Sequence, residues 1–185
     1  MSVFRTARTG LLILSMMLVV TAPLSAQGKG SDARAAVQDF FNLLKAKKYA
    51  QLYDYLPGEM QQQMTREQLT QALKRLDDFI IIERLEIGRV QQRTVSGTSF
   101  AVIDTTLYGQ LKRPVEINGQ KVETGKVIVQ QYLFREGSQW KVATADGQTR
   151  ARFLKRYPEF ARSFQLSPPQ FFLKQNGQWK SFTRR

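Results

Sequence analysis

The stretch Ser99-Phe100-Ala101-Val102-Ile103-Asp104-Thr105-Thr106-Leu107-Tyr108-Gly109-Gln110-Leu111 decides the fold. Successive side chains of a strand point to opposite faces. Here one set holds Phe100, Val102 and Tyr108, and the other holds Ala101, Ile103 and Leu107, so both faces are apolar. Val122–Arg135 repeats the pattern, with Val127, Val129 and Leu133 on one side and Ile128, Tyr132 and Phe134 on the other. A strand apolar on both sides requires cover on both sides. These segments are therefore expected to be strands of a sheet covered on both faces.

Turn signals bound further strands. Phe79–Arg93 is rich in isoleucine and valine and ends at Ser96-Gly97. Lys112-Arg113-Pro114 is expected to interrupt the second strand, Asn118-Gly119 to turn the chain, and Glu136-Gly137-Ser138 to lead into a strand from Gln139 to Ala145. Upstream the period is helical. Val37, Phe40, Phe41, Leu44, Tyr49, Leu52, Tyr53 and Leu56 form one stripe, read as a helix capped by Ser31-Asp32, bent at Lys47-Lys48-Tyr49 and stopped by Pro57-Gly58. Thr65 and Gln68 have capping-box spacing, opening a second helix with Leu69, Ala72, Leu73 and Leu76 on its apolar side. Helices followed by a meander of antiparallel strands define an α+β fold, with the N-terminal helices packed on one face of a curved sheet. The C-terminal segment, or a second subunit, must cover the other.

That segment carries its own signals. Arg152–Arg156 reads as helical, Pro158 suits the start of a new helical turn, and Phe153, Tyr157, Phe160 and Phe164 make an aromatic stripe. Phe171-Phe172-Leu173-Lys174, Asn176-Gly177 and Trp179-Lys180-Ser181-Phe182 spell a β-hairpin. The expected extension is thus a helix and a hairpin after Gln148.

The opening residues read as an export signal. Arg5 and Arg8 precede an apolar run from Leu11 to Val20, and Leu24-Ser25-Ala26 ends on small residues before a polar stretch. The run is about half of what a membrane span needs. The expected organisation is a signal peptide over 1–26, an α+β domain over 27–148 and a basic, aromatic-rich extension over 149–185. The mature chain is expected in the periplasm or secreted after cleavage near Ala26.

Composition removes several chemistries. The chain has no cysteine and no histidine, which excludes thiolate chemistry, histidine metal sites and a serine–histidine triad. No metal or cofactor is expected. The formal charge of +13 falls to +11 without Arg5 and Arg8, and residues 149–185 hold nine basic side chains against one acid, Glu159. Such asymmetry marks a surface for something anionic. Arg152, Lys155, Arg156, Arg162 and Lys180 are the candidate contacts, among six phenylalanines. In an exported protein, anionic lipid headgroups or envelope polymers are closer at hand than nucleic acid, which is not the expected partner.

The run Val37-x-x-Phe40-Phe41-x-x-Leu44-x-x-Lys47-Lys48-Tyr49-x-x-Leu52-Tyr53-x-Tyr55-Leu56, then Thr65-x-Glu67-x-Leu69, then a meander closing on Gly137-x-x-Trp140-Lys141-Val142, resembles the nuclear transport factor 2-like (cystatin-like) superfamily. It looks most like exported bacterial members, and covers about Ser31–Asp146. The resemblance implies a bent sheet around a long helix, forming a cone whose open end often holds an apolar ligand. Phe40, Tyr53, Phe100 and Val102 are the residues expected to line it. Some members are isomerases or hydrolases. A similar role here would fall to Asp104 as a base beside the phenol of Tyr108, both on one strand face. Many members only bind or dimerise. The leading expectation is a non-enzymatic exported binding domain, with a small apolar ligand in the cone or a homodimer through the sheet face. An enzyme using Asp104 and Tyr108, or an envelope interaction module working through residues 149–185, are the alternatives.

Overall fold

The doubly apolar strands lie at the centre of a six-stranded antiparallel sheet. The structure, a computed structural model, describes residues 32–117, 119–143 and 147–182. The expected signal segment, the expected cap Ser31, Asn118 of the expected second turn, and Arg184 and Arg185 fall outside the described residues. Strand β2 (Thr98–Ile117) pairs with β1 (Ile80–Val95) on one side and β3 (Gln120–Glu136) on the other. The outer edge of β3 is shared. Its C-terminal end takes β4 (Gln139–Val142), and residues 125–128 take β5 (Gln170–Gln175). Strand β6 (Gln178–Ser181) closes the series in the order β1-β2-β3-β5-β6.

Each face has its own core. Helix α1 (Ala33–Lys45) sets Ala33, Ala36, Val37 and Phe41 against Ala101, Ile103, Leu133, Trp140 and Val142. On the other face Phe100, Val102, Tyr132 and Phe134 pack under Phe153, Phe160 and Phe164, from α5 (Gly147–Arg156), α6 (Pro158–Ser163) and the residue after it. The C-terminal segment therefore supplies the second cover that the alternation demands. Burying each such ring contributes about 1.5–3 kcal/mol. Phe153 meets Phe160 edge-to-face at 5.0 Å, the geometry that the ring quadrupoles favour. The same segment is hydrogen-bonded into the sheet through β5.

Local chemistry sets the element ends. Asp32 caps α1 by accepting from the Arg34 N–H at 3.0 Å. The capping box forms at α4 (Arg66–Asp77): Thr65 Oγ1 accepts from the Gln68 N–H, and Gln68 Oε1 accepts from the Thr65 N–H. Both hairpin turns at Ser96-Gly97 and Asn176-Gly177 have positive φ at both residues, as tight hairpins require.

Two expectations are corrected. The helical stripe over Val37–Leu56 is broken, not bent: Lys47 has φ 58°, α1 stops before it, and a short α2 (Tyr49–Leu52) runs into a 3-10 turn at Tyr53–Tyr55. Pro57-Gly58 does not end helical structure but starts α3 (Gly58–Gln63), whose first N–H is bound by the Glu136 carboxylate at 3.1 Å. The expected interruption at Lys112-Arg113-Pro114 is present: the β2–β3 register breaks between Gln110 and Val115, where the missing N–H is absorbed, and pairing resumes at Val115–Val122 within the same strand.

Strand β1 is an edge, and α1 reaches over it. Arg34 Nη2 donates to the Gly88 carbonyl at 2.7 Å, and Lys45 Nζ donates to the Glu83 carbonyl at 2.6 Å. Both contacts fall at the register irregularities of β1, between Ile82 and Arg84 and between Ile87 and Val90. Cations and bulges of this kind keep an edge from pairing with another chain.

Candidate functional site

Directly opposed residues on neighbouring strands share a face. One such row crosses the whole sheet: Arg84 opposes Tyr108, Tyr108 opposes Lys126, Lys126 opposes Phe172, and Phe172 opposes Ser181. Tyr108 lies six residues along β2 from Val102, so the row shares the face of the C-terminal aromatic cover. Its outer member Arg84 is in water, 58% exposed, as is Glu86 beside it on β1 at 48%.

The row is a ladder of rings and cations. The Arg84 guanidinium sits 4.0 Å over the Tyr108 ring and pairs with Glu86 at 2.6 Å. The Tyr108 hydroxyl donates to the same carboxylate at 3.0 Å, and that donation raises its pKa above the usual tyrosine value. Trp179 comes from the neighbouring row and meets Tyr108 edge-on at 5.9 Å. The Lys126 ammonium lies 4.9 Å from both the Phe172 and the Trp179 ring centres, and Lys174 lies 5.9 Å from Trp179. Exposed cation–π contacts contribute about 0.5–1 kcal/mol each, enough to hold the cations in place. Three positive groups and one carboxylate leave the layer net positive. Glu86 is committed to Arg84 and Tyr108, so the carboxylate in this layer is paired and the remaining charge is positive.

The expected site residues are dispersed. Asp104 shares the face of Tyr108, but the two residues are about 13 Å apart along the strand. Asp104 accepts from Gln130 Nε2 at 3.0 Å and lies 3.5 Å from Arg89 Nε, while Tyr108 is bonded to Glu86. Phe40 packs on the α1 side, edge-on to Phe41 and Tyr55. Tyr53 donates to the Gln61 carbonyl at 2.7 Å under the Arg66 guanidinium. Phe100 and Val102 are buried on the opposite face from Phe40, within the aromatic core. The structure does not bring these four to one cavity. A groove of about 450 Å³ lies instead along α1 and α2, lined by Asp39, Asn42, Gln51, Asp54 and Tyr55 among others. Asp54 is held there by Arg66 at 2.7 Å.

The C-terminal cations are also divided. Arg156 pairs with Glu59 at 2.5 Å, and Arg152 donates to Gln63 Oε1 at 3.4 Å. Lys155 and Arg162 are exposed on α5 and α6. Lys180 opposes Leu173, which places it on the other side of the sheet from Trp179. Of the two tryptophans, Trp140 is buried in the α1 core and Trp179 stands beside the row, against Tyr108.

Sequence reasoning missed Arg84, Glu86, Lys126, Phe172 and Lys174 as a group. The signal that was available is the ring–cation alternation of the C-terminal hairpin, which supplies half of the ladder. Among the described residues no helix is long and apolar enough to cross a membrane, and no cluster of three or more acidic side chains could hold a metal. Neither protein-family models nor curated proteins give a match to this chain.

Proposed function

We propose that the chain is an exported, non-enzymatic binding domain of nuclear transport factor 2-like layout. It engages an anionic component of the cell envelope through the ladder of Arg84, Tyr108, Lys126, Phe172, Lys174 and Trp179. The observation that carries this reading is the Lys126 ammonium 4.9 Å from the centres of both the Phe172 and the Trp179 rings, in a row that spans five strands. Export rests on the residues from Arg5 to Ala26, and the layout on the order of helices and meander. Both apolar faces of the central strands are occupied by the protein's own helices. That favours a partner on the surface over an apolar ligand inside a cone.

The test must separate the ladder from bulk charge. Binding of the mature chain to an immobilised polyanion is measured against salt for Lys126→Gln/Lys174→Gln and for Lys155→Gln/Arg162→Gln, which have equal net charge. The first pair should weaken binding by about tenfold or more, since each lost contact to an anion costs on the order of a kcal/mol, and the second should change it little. Equal losses in the two would reduce the interaction to net charge. N-terminal sequencing of exported material should begin near Gln27; an intact Met1 in a membrane fraction would refute cleavage.

A further inference from the structure

A second row crosses the sheet next to the ladder's row, on the opposite face. Leu85 opposes Leu107, Leu107 opposes Val127, and Val127 opposes Phe171. The Phe182 N–H donates to the Phe171 carbonyl at 2.7 Å, which continues the register of β5 and β6 and adds Phe182 to the row. Every member is apolar. Leu85 and Leu107 pack on the α1 core, but Phe171 and Phe182 are 49% and 43% exposed. The row thus starts under a helix and ends in water, on the hairpin of β5 and β6.

Phe171 and Phe172 are neighbours on one strand, so they point to opposite faces. The hairpin therefore carries rings on both, Phe172 and Trp179 on one side and Phe171 and Phe182 on the other. Each side also has an exposed lysine, Lys174 near Trp179 and Lys180 opposite Leu173. Residues 170–185 hold four basic side chains and no acid. We infer that this hairpin is a membrane-surface anchor. It enters the headgroup layer of a bilayer rich in anionic lipid, with Phe171 and Phe182 at the acyl boundary and the lysines on phosphates. Rings and cations together suit that boundary. Strand β6 is last in the strand order, and a backbone edge without a strand partner cannot pass into hydrocarbon, so the hairpin stays at headgroup depth. The inference rests on the anion-binding reading above for the charge of the partner.

Two other occupants fit less well. A soluble polyanion would engage the lysines and leave Phe171 and Phe182 in water. A second copy of the chain would cover one side of the hairpin only. Pairing through β6 would also bring two Lys180 side chains together, and lysines on an edge strand oppose such pairing. A bilayer surrounds whatever enters it and covers rings on both sides at once.

The experiment spins the mature chain down with sucrose-loaded vesicles, so that the apolar run from Leu11 to Val20 plays no part. Vesicles of phosphatidylglycerol and phosphatidylcholine should carry the protein down, and vesicles of phosphatidylcholine alone should not. Phe171→Ser/Phe182→Ser should weaken the vesicle binding about tenfold for each ring and leave binding to a soluble polyanion as it was. Both rings are half-exposed, so melting should hold; if Phe171→Ser lowers it, Phe182→Ser alone carries the test. Vesicle binding that falls in Lys126→Gln/Lys174→Gln but not in the phenylalanine variants would overturn the anchor and leave the anion-binding ladder standing. Polyanion binding without vesicle binding would do the same. A chain that sediments as a dimer, and that Phe171→Ser/Phe182→Ser makes monomeric, would give the rings to a second copy instead. Binding to neither vesicles nor polyanion would sink the anchor and the proposed function together.

Discussion

Gln130 Oε1 on β3 accepts from the backbone N–H of Ser167 at 2.8 Å, across 37 residues of chain. The same side chain donates through Nε2 to the Gln165 carbonyl at 3.3 Å and to Asp104 at 3.0 Å. A single amide thus fastens the connector between α6 and β5 to the middle of the sheet. Gln130→Met keeps the bulk and removes all three bonds. Breaking such bonds at a largely buried side chain costs about 1–3 kcal/mol. Denaturant unfolding should show that loss, and amide exchange at Ser167 should speed up before exchange in β2 does. Unaltered exchange at Ser167 would mean that packing alone holds the connector.

Phe160 is fully buried and touches Phe100, Tyr132, Phe153 and Phe164. Phe160→Ala should destabilise the protein by about 3–5 kcal/mol, a large part of the 5–15 kcal/mol typical of a domain. Truncation after Gln148 removes the whole layer, and the bared Phe100–Phe134 face should then drive aggregation or dimerisation in light scattering. A truncated chain that stays monodisperse with an unchanged melting temperature would contradict a structural role for the segment.

Arg34 and Lys45 cover carbonyls at the irregular points of the β1 edge. The double change Arg34→Ala/Lys45→Ala should shift the mass in sedimentation toward association at a given concentration, with little change in melting. Lys155→Ala/Arg162→Ala removes the same charge elsewhere and should not do so. If both variants associate equally, net charge and not edge protection is responsible.

Burial pushes the Tyr132 hydroxyl above the ordinary tyrosine value of 10.0, with Arg150 acting in the opposite direction. The folded state therefore keeps this proton to higher pH than the unfolded state does. The linked stability is full below about pH 10 and is lost as pH rises through the folded value. Tyr132→Phe cannot ionise, so its stability should fall less steeply above pH 10 than that of the parent. Parallel alkaline curves would show that the hydroxyl is not linked to folding.

The layers were legible because burial leaves a period. Phe100 and Val102 alternate with Ala101 and Ile103, and two apolar sets on one strand cannot both face water. The caps at Asp32, Thr65 and Gln68 and the turn at Asn176-Gly177 were legible because a few adjacent residues settle them. The break at Lys47 was hidden, since the apolar stripe keeps its spacing through a left-handed residue. The interruption at Pro114 was legible because proline lacks the donor that regular pairing needs. The ladder was illegible for another reason. Arg84, Tyr108, Lys126 and Phe172 come from four strands, and only their mutual register, fixed by the fold as a whole, lines them up.

The division of the outer edge of β3 between β4 and β5 has a consequence in time. The β4 pairing closes through a tight turn and is available as soon as residue 142 has been made. The β5 pairing must wait for residues 170–173 and close a much longer loop, an event that slows folding as sequence separation grows. Until then half of an edge and the whole Phe100–Phe134 face are open to whatever is nearby. A chain that emerges with this cover still unmade profits from a chaperone, or from delayed folding, until the segment from Phe153 to Leu173 has followed.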